Sequence, residues 1–251
     1  MTIKQSAPPV DRPPAVPRMI WARLAVDPFA EPLARQLARR RWVSPDRVTL
    51  LALSLALGAA VCFATGHFRW GGALFLARYF FDCVDGMVAR ARGTASARGA
   101  ALDISVDVVG THLVAAALVG RLAADGRLGV AGAVLLLALV GIHNWSLAQR
   151  KALAHEAGLG EGGFDHRWRR RPPGLRAWLG WTERIGMAAF PWVLEVEIVV
   201  FGLAPLLVPG PHLAGAVWFG CAGYAVVSAT SLLRIRRIAA RLDATHRRND
   251  V

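Results

Sequence analysis

An all-α, polytopic membrane protein with six transmembrane helices and an N-terminal juxtamembrane amphipathic helix is the fold class this sequence predicts, on three observations. Apolar residues make up 55% of the chain and its mean hydropathy is +0.38, above the roughly 45–50% apolar content of ordinary soluble domains. They gather in six stretches, each close to the roughly 20 residues that cross a bilayer. The basic residues are lopsided: nine Lys and Arg precede the first stretch, three lie between the second and third, eight between the fourth and fifth, and six after the last, against Arg69, Arg121 and Arg127 on the other side. By the positive-inside rule, both termini and the loops after the second and fourth spans face the cytoplasm, as in a bacterial plasma membrane.

Met1–Arg18 has no apolar run of the kind a cleavable signal needs, and it carries Pro8, Pro9, Pro13, Pro14 and Pro17. Residues 1–26 therefore read as a disordered tail. Residues 27–42 form the amphipathic segment: an Asp27–Pro28 start, then Leu33 and Leu37 on one stripe with Arg35, Arg39 and Arg40 elsewhere. It reads as a helix on the inner leaflet, the alternative being a soluble helix packed on a cytoplasmic loop. Residues 43–235 hold the six spans, Val48–Gly66, Trp70–Ala89, Gly99–Gly120, Leu128–Ala148, Ala188–Val208 and Pro211–Leu233, and 236–251 a basic cytoplasmic tail. The net charge of +13 and the stretch FDHRWRRRPPG (Phe164–Gly174) raise nucleic acid as a partner. The placement of the charges assigns them instead to bilayer topology and anionic lipid. Cys62, Cys83 and Cys221 lie in apolar segments without CxxC spacing and read as small buried hydrophobes.

FDCVDGMVARARGTASARGAALDISVDVV (Phe81–Val109) places four aspartates in small or apolar surroundings. Asp82, Asp85, Gly86 and Ala89 share one face of the second span, and Gly99, Asp103 and Asp107 repeat at steps of four along the third. The polar connection Arg90–Arg98 is short, so the two helices are antiparallel neighbours and their acids converge at the cytoplasmic end. Each acid deep in a membrane helix costs about 2.5–3.5 kcal/mol, and four cost on the order of 10 kcal/mol. Arg78, Arg90 and Arg98 could pair with some of them. Crowded carboxylates are better relieved by a divalent cation, and oxygen donors with no His–Cys set favour magnesium or manganese. Gly86, Ala89 and Gly99 leave either a groove for a bulky group such as a diphosphate or a close helix–helix contact.

Together these residues spell DxxDGxxARx(8)GxxxDxxxD from Asp82 to Asp107, which resembles the signature of the CDP-alcohol phosphotransferase family of membrane enzymes. SPDRVT (Ser44–Thr49) is similar to that family's entry to its first helix, with Asp46 where many relatives have asparagine. Past about Gly110 the likeness is one of topology. The resemblance implies transfer of a phospho-alcohol unit from a CDP-linked donor, CDP-diacylglycerol or another CDP-alcohol, to an alcohol or alcohol-phosphate acceptor, with release of CMP, in phospholipid biosynthesis. It implies Mg²⁺ or Mn²⁺, two ions, on Asp82, Asp85, Asp103 and Asp107. Asp107 is also the implied general base. Arg90 and Ser96 match donor-phosphate positions, and Asp46, Thr49 and Gly86, with Ala89 and Gly99 beside them, match positions around the nucleotide. A homodimer is the implied assembly.

Acceptor identity is less legible. Phosphatidylinositol-phosphate synthases usually have Asp-Arg at the last aspartate, whereas this chain has Asp107-Val108. Arg78, His143–Asn144–Trp145, Glu195 and Glu197 are polar candidates for reading the acceptor, with an Arg78–Glu195 ion pair or a satisfied core histidine as alternatives. A UbiA-like magnesium-dependent prenyltransferase would need a second aspartate cluster. A cation transporter would not need the Gly86–Arg90–Gly99 groove.

Overall fold

The structure is a computed structural model that describes residues 18–40, 42–157, 172–188 and 192–249. Among these, all regular elements are helical, with one isolated parallel bridge between Arg18 and Met187. In chain order they are α1 (Asp27–Arg39), α2 (Pro45–Ala64), α3 (Phe68–Arg92), α4 (Ala97–Ala124), α5 (Val130–Glu156), α6 (Pro173–Arg184), α7 (Val193–Glu197), α8 (Ala204–Leu207) and α9 (Leu213–Asn249). A π-helical turn, Ala22–Val26, leads into α1, and another, Ile198–Leu203, joins α7 to α8.

Pro45–Ala64, Ala97–Ala124, Val130–Glu156 and Gly210–Ala240 are long and apolar enough to cross a membrane, and the chain is an integral membrane protein. Two expected crossings differ from these four. α3 has the length, 25 residues, but carries Arg78, Asp82 and Asp85 within its apolar run. The segment expected at Ala188–Val208 is a shorter rod, continuous from Val193 through the π turn to Leu207, and residues 189–191 lie outside the described residues. Most of the arginine-rich stretch 164–174 and residues 1–17 also lie outside them.

Residues 18–26, expected as part of a disordered tail, are ordered. The Arg18 amide donates to Gly186 O at 2.8 Å and Ala188 N donates to Arg18 O at 2.6 Å. The Arg18 guanidinium meets Asp27, whose side chain is 3% exposed, at 2.5 Å. These contacts tie the chain before α1 to the turn after α6, a helix the sequence reading left as loop and which starts on Pro173 at its first position. The basic tail continues α9 as helix.

Between helices in a bilayer the hydrophobic effect gives little attraction, so small residues and close packing carry association. A Cβ on Gly72 would lie 2.5 Å from Gly202 O, and one on Gly202 would lie 2.5 Å from Leu76. These two glycines let α3 and the π turn approach backbone to backbone. One core cluster includes Phe63, Phe75, Leu118, Leu136, Phe201 and Tyr224. A second joins Ala30 and Ala34 of α1 to Val48, Val84 and Val88, with Leu33 and Leu37 packed against it. The apolar stripe of α1 thus leans on the helix bundle, while Phe29 is 70% exposed.

The α3–α4 junction is fixed by local chemistry. Gly93 adopts φ 66° after the last turn of α3, with Gly93 N donating to Arg90 O at 3.1 Å and Thr94 N to Ala89 O at 3.0 Å, a paired C-cap motif that favours glycine. Ser96 then caps α4 by accepting from Gly99 N at 3.1 Å. α2 packs along both α3 and α4, whereas α3 and α4 approach each other closely at very few points. α2 is thus the element that holds α3 and α4 side by side.

Candidate metal centre and its groove

α3 supplies Asp82 and Asp85 and α4 supplies Asp103, and one carboxylate oxygen from each lies within 4.8 Å of the others. Asp85 is buried, and its Oδ2 accepts from the Thr49 hydroxyl at 2.5 Å. Thr49 Oγ1 is also 3.2 Å from Pro45 O, so this hydroxyl is held between the first turn of α2 and the acid. Asp82 Oδ1 is buried without a hydrogen-bond partner. Among the described residues none of the three acids is ion-paired to Lys or Arg. Close, partly buried carboxylates without a counter-cation repel one another. A divalent cation relieves that repulsion, and an all-oxygen donor set suits Mg²⁺ or Mn²⁺ better than Zn²⁺. The residues present fit such an ion.

Asp107 lies one turn along α4 from Asp103. Its Oδ1 accepts from Arg78 at 2.6 Å, its side chain is 44% exposed and that of Arg78 is 3% exposed. The Arg78–Glu195 pair weighed from the sequence is not formed. Glu195 instead accepts from Trp192 N at 2.7 Å and Ile20 N at 2.9 Å, capping α7 and holding the N-terminal segment. Glu197 accepts from the Tyr224 hydroxyl at 2.8 Å, and the His143 ring meets the Tyr224 ring at 5.8 Å, edge to face. His143 is buried and Trp145 exposed.

The glycines of the motif can now be sorted. A Cβ on Gly86 would meet only Arg90 of its own helix, at 3.1 Å, and one on Gly99 only the Ser96 hydroxyl of its own cap, at 3.4 Å. Neither is pressed against a neighbouring helix, unlike Gly72 or Gly202, and the Arg90 guanidinium lies over Gly86. Ala89 is half-buried beside them. Asp46 is exposed in the first turn of α2, and Ser96 is exposed with its hydroxyl engaged by Gly99 N.

Sequence reasoning missed two partners. Thr49 reads there as a nucleotide contact, and the structure gives its hydroxyl to Asp85. Arg92 drew no role, yet it donates to Leu37 O and Ala38 O, both at 3.0 Å, to Arg40 O at 2.6 Å and to Val43 O. A signal was present: Arg90 and Arg92 are two residues apart, about 200° around a helix, so both cannot face one groove.

The model of the family described as CDP-alcohol phosphatidyltransferase matches residues 42–161. The chain is 34% identical over 181 residues to a phosphatidylinositol phosphate synthase of Mycobacteroides abscessus, covering 71% of this chain and 79% of that one. It is 30% identical over 211 residues to the Streptomyces avermitilis protein of the same name, covering 82% and 77%. Among solved structures, Mycobacterium tuberculosis phosphatidylinositol phosphate synthase in complex with manganese and citrate superposes with a TM-score of 0.57 at 22% identity, over 82% of this chain and 88% of that one. The same enzyme with CDP-DAG bound gives 0.54 at 22% identity, over 83% and 94%.

Proposed function

The chain belongs to the CDP-alcohol phosphatidyltransferase family, and from that premise we propose that it transfers a phosphatidyl group from CDP-diacylglycerol to an alcohol-phosphate acceptor, releasing CMP. It is a membrane transferase of phospholipid biosynthesis, and family membership sets aside the prenyltransferase and transporter readings. The convergence of Asp82, Asp85 and Asp103 across the α3–α4 groove carries the proposal. Support for the acceptor class comes from the relatives, which are phosphatidylinositol phosphate synthases.

The reaction joins an alcohol, a poor nucleophile at neutral pH, to a phosphodiester whose charge repels it. Asp82, Asp85 and Asp103 would hold Mg²⁺ or Mn²⁺, two ions in all, with Thr49 fixing the Asp85 carboxylate. A cation held there would supply positive charge to the diphosphate oxygens and to departing CMP. Gly86 and Gly99, with Ala89 between them in sequence, leave the groove open for the nucleotide and diphosphate, Arg90 lies beside that path, and Asp46 and Ser96 stand at its exposed cytoplasmic rim. Asp107 accepts the proton of the acceptor hydroxyl as its oxygen attacks the phosphorus bearing the diacylglycerol. The new P–O bond forms, the bond to the bridging oxygen breaks, and its electron pair leaves with CMP.

In this reading α3 and the α7–α8 rod complete six crossings. The termini and the groove face the cytoplasm, and α1 lies at the inner leaflet with Phe29 toward lipid, in keeping with the distribution of basic residues. The test is to incubate purified protein, CDP-diacylglycerol and Mn²⁺ with a panel of alcohols and alcohol phosphates, inositol phosphate among them, and to identify the product by mass. A phosphatidyl ester of one alcohol phosphate is expected. CMP release with free alcohols alone would overturn the acceptor class, and no CMP release from any CDP-linked donor would overturn the activity.

A further inference from the structure

We propose that Arg78 is the positioning residue for Asp107, fixing the direction in which that carboxylate points. The proposal rests on the reading of Asp107 as the base. One guanidinium nitrogen lies 2.6 Å from Asp107 Oδ1 and 3.5 Å from Asp107 O, so the arginine reaches both the side chain and the backbone of a single residue. The pair has one closed and one open end, since Arg78 is 3% exposed and the Asp107 side chain 44%.

The guanidinium has little room to leave. The Phe75 ring centroid is 5.5 Å from its Cζ. A Cβ on Gly110 would sit 3.2 Å from Ala56 Cβ and 3.4 Å from Arg78 Nε, so the guanidinium packs against the α4 backbone there. Its choice of partner is informative. Asp82 is four residues along the same helix, the spacing at which Arg–Asp pairs ordinarily form, yet Arg78 crosses to α4 and Asp82 Oδ1 remains without a partner. One arginine thereby fixes the direction of a single carboxylate among four, a turn along α4 from Asp103.

Removing the arginine should free the Asp107 carboxylate to turn while Asp82, Asp85 and Asp103 stay in place. In Arg78→Met, kcat is expected to fall about 10–100-fold, with donor KM unchanged and Mn²⁺ affinity, read by EPR of protein in nanodiscs, close to that of wild type. Arg78→Lys keeps the charge but loses the planar grip, so it should recover part of kcat, and it serves as the working variant if Arg78→Met does not fold. In an Asp107→Asn background the same change should cost little more, because the two residues act as one unit. An unchanged kcat in Arg78→Met, or a joint loss of Mn²⁺ affinity, donor binding and thermal stability that Arg78→Lys does not repair, would overturn the positioning role. Normal kcat in Asp107→Asn alone would instead overturn the base, a separable result.

Discussion

Asp85 meets its neighbours with one oxygen already engaged, because Thr49 donates to Oδ2 at 2.5 Å. An outer partner of this kind sets the orientation of a ligand, and its loss typically lowers metal affinity or activity by about 10–100-fold. Thr49→Val should therefore weaken Mn²⁺ binding by about that factor, while Asp85→Asn should abolish both Mn²⁺ binding and CMP release. Calorimetric Mn²⁺ titration distinguishes the two, and full activity in Asp85→Asn would remove it from the site. Gly86 makes a different prediction. Bulk there meets Arg90 and the groove but no helix partner, so Gly86→Val should raise donor KM with Mn²⁺ affinity and thermal stability nearly intact. A fall in stability with unchanged KM would mean that the glycine serves packing.

The α1 helix ends in carbonyls that need partners, and Arg92 at the end of α3 supplies them through Leu37, Ala38, Arg40 and Val43. Charged hydrogen bonds contribute about 1.5–3 kcal/mol each when lost from enclosed settings, and less where partly exposed. Arg92→Leu should then lower stability by about 2 kcal/mol and expose the α1–α2 connection to protease. At the next residue, Gly93→Ala meets no atom within 4 Å but keeps φ 66°, so the expected loss of about 1–2 kcal/mol is purely conformational. Denaturation in detergent compares the two variants. If Gly93→Ala is neutral, the C-cap geometry is not what fixes the turn into α4.

Across the molecule, binding of a cation only to the folded site couples occupancy to stability. At a concentration 100 times Kd the gain is about 2.7 kcal/mol. Mn²⁺ should raise the Tm of the wild-type protein, a chelator should reverse the rise, and Asp82→Asn should show neither. An equal rise in Asp82→Asn would place the ion elsewhere. The arrangement also explains why the site tolerates its setting. α2 braces both α3 and α4, and Asp85 is buried with Asp82 and Asp103 partly buried beside it, which keeps charge out of the exposed helix surface where it is expensive.

Long apolar runs, the Gly93 and Ser96 punctuation and the four-residue steps of Asp103 and Asp107 determined by themselves that this is a helical membrane protein with acids meeting across one short turn. Those features are local: hydropathy sets a crossing, a C-cap and an N-cap set a reversal, and helical period sets a face. Only the tertiary structure decided which polar groups meet across helices. Arg78 could reach Asp82, Glu195 or Asp107 on sequence grounds, and in the fold it meets Asp107 on α4 while the N-terminal segment occupies Glu195. Thr49 turned to Asp85 because α2 packs along both α3 and α4. Residues 18–26 became ordered through Gly186, Ala188 and Glu195, more than 150 positions away. Such partners are set by where whole helices pack, and no local pattern in the chain encodes that distance.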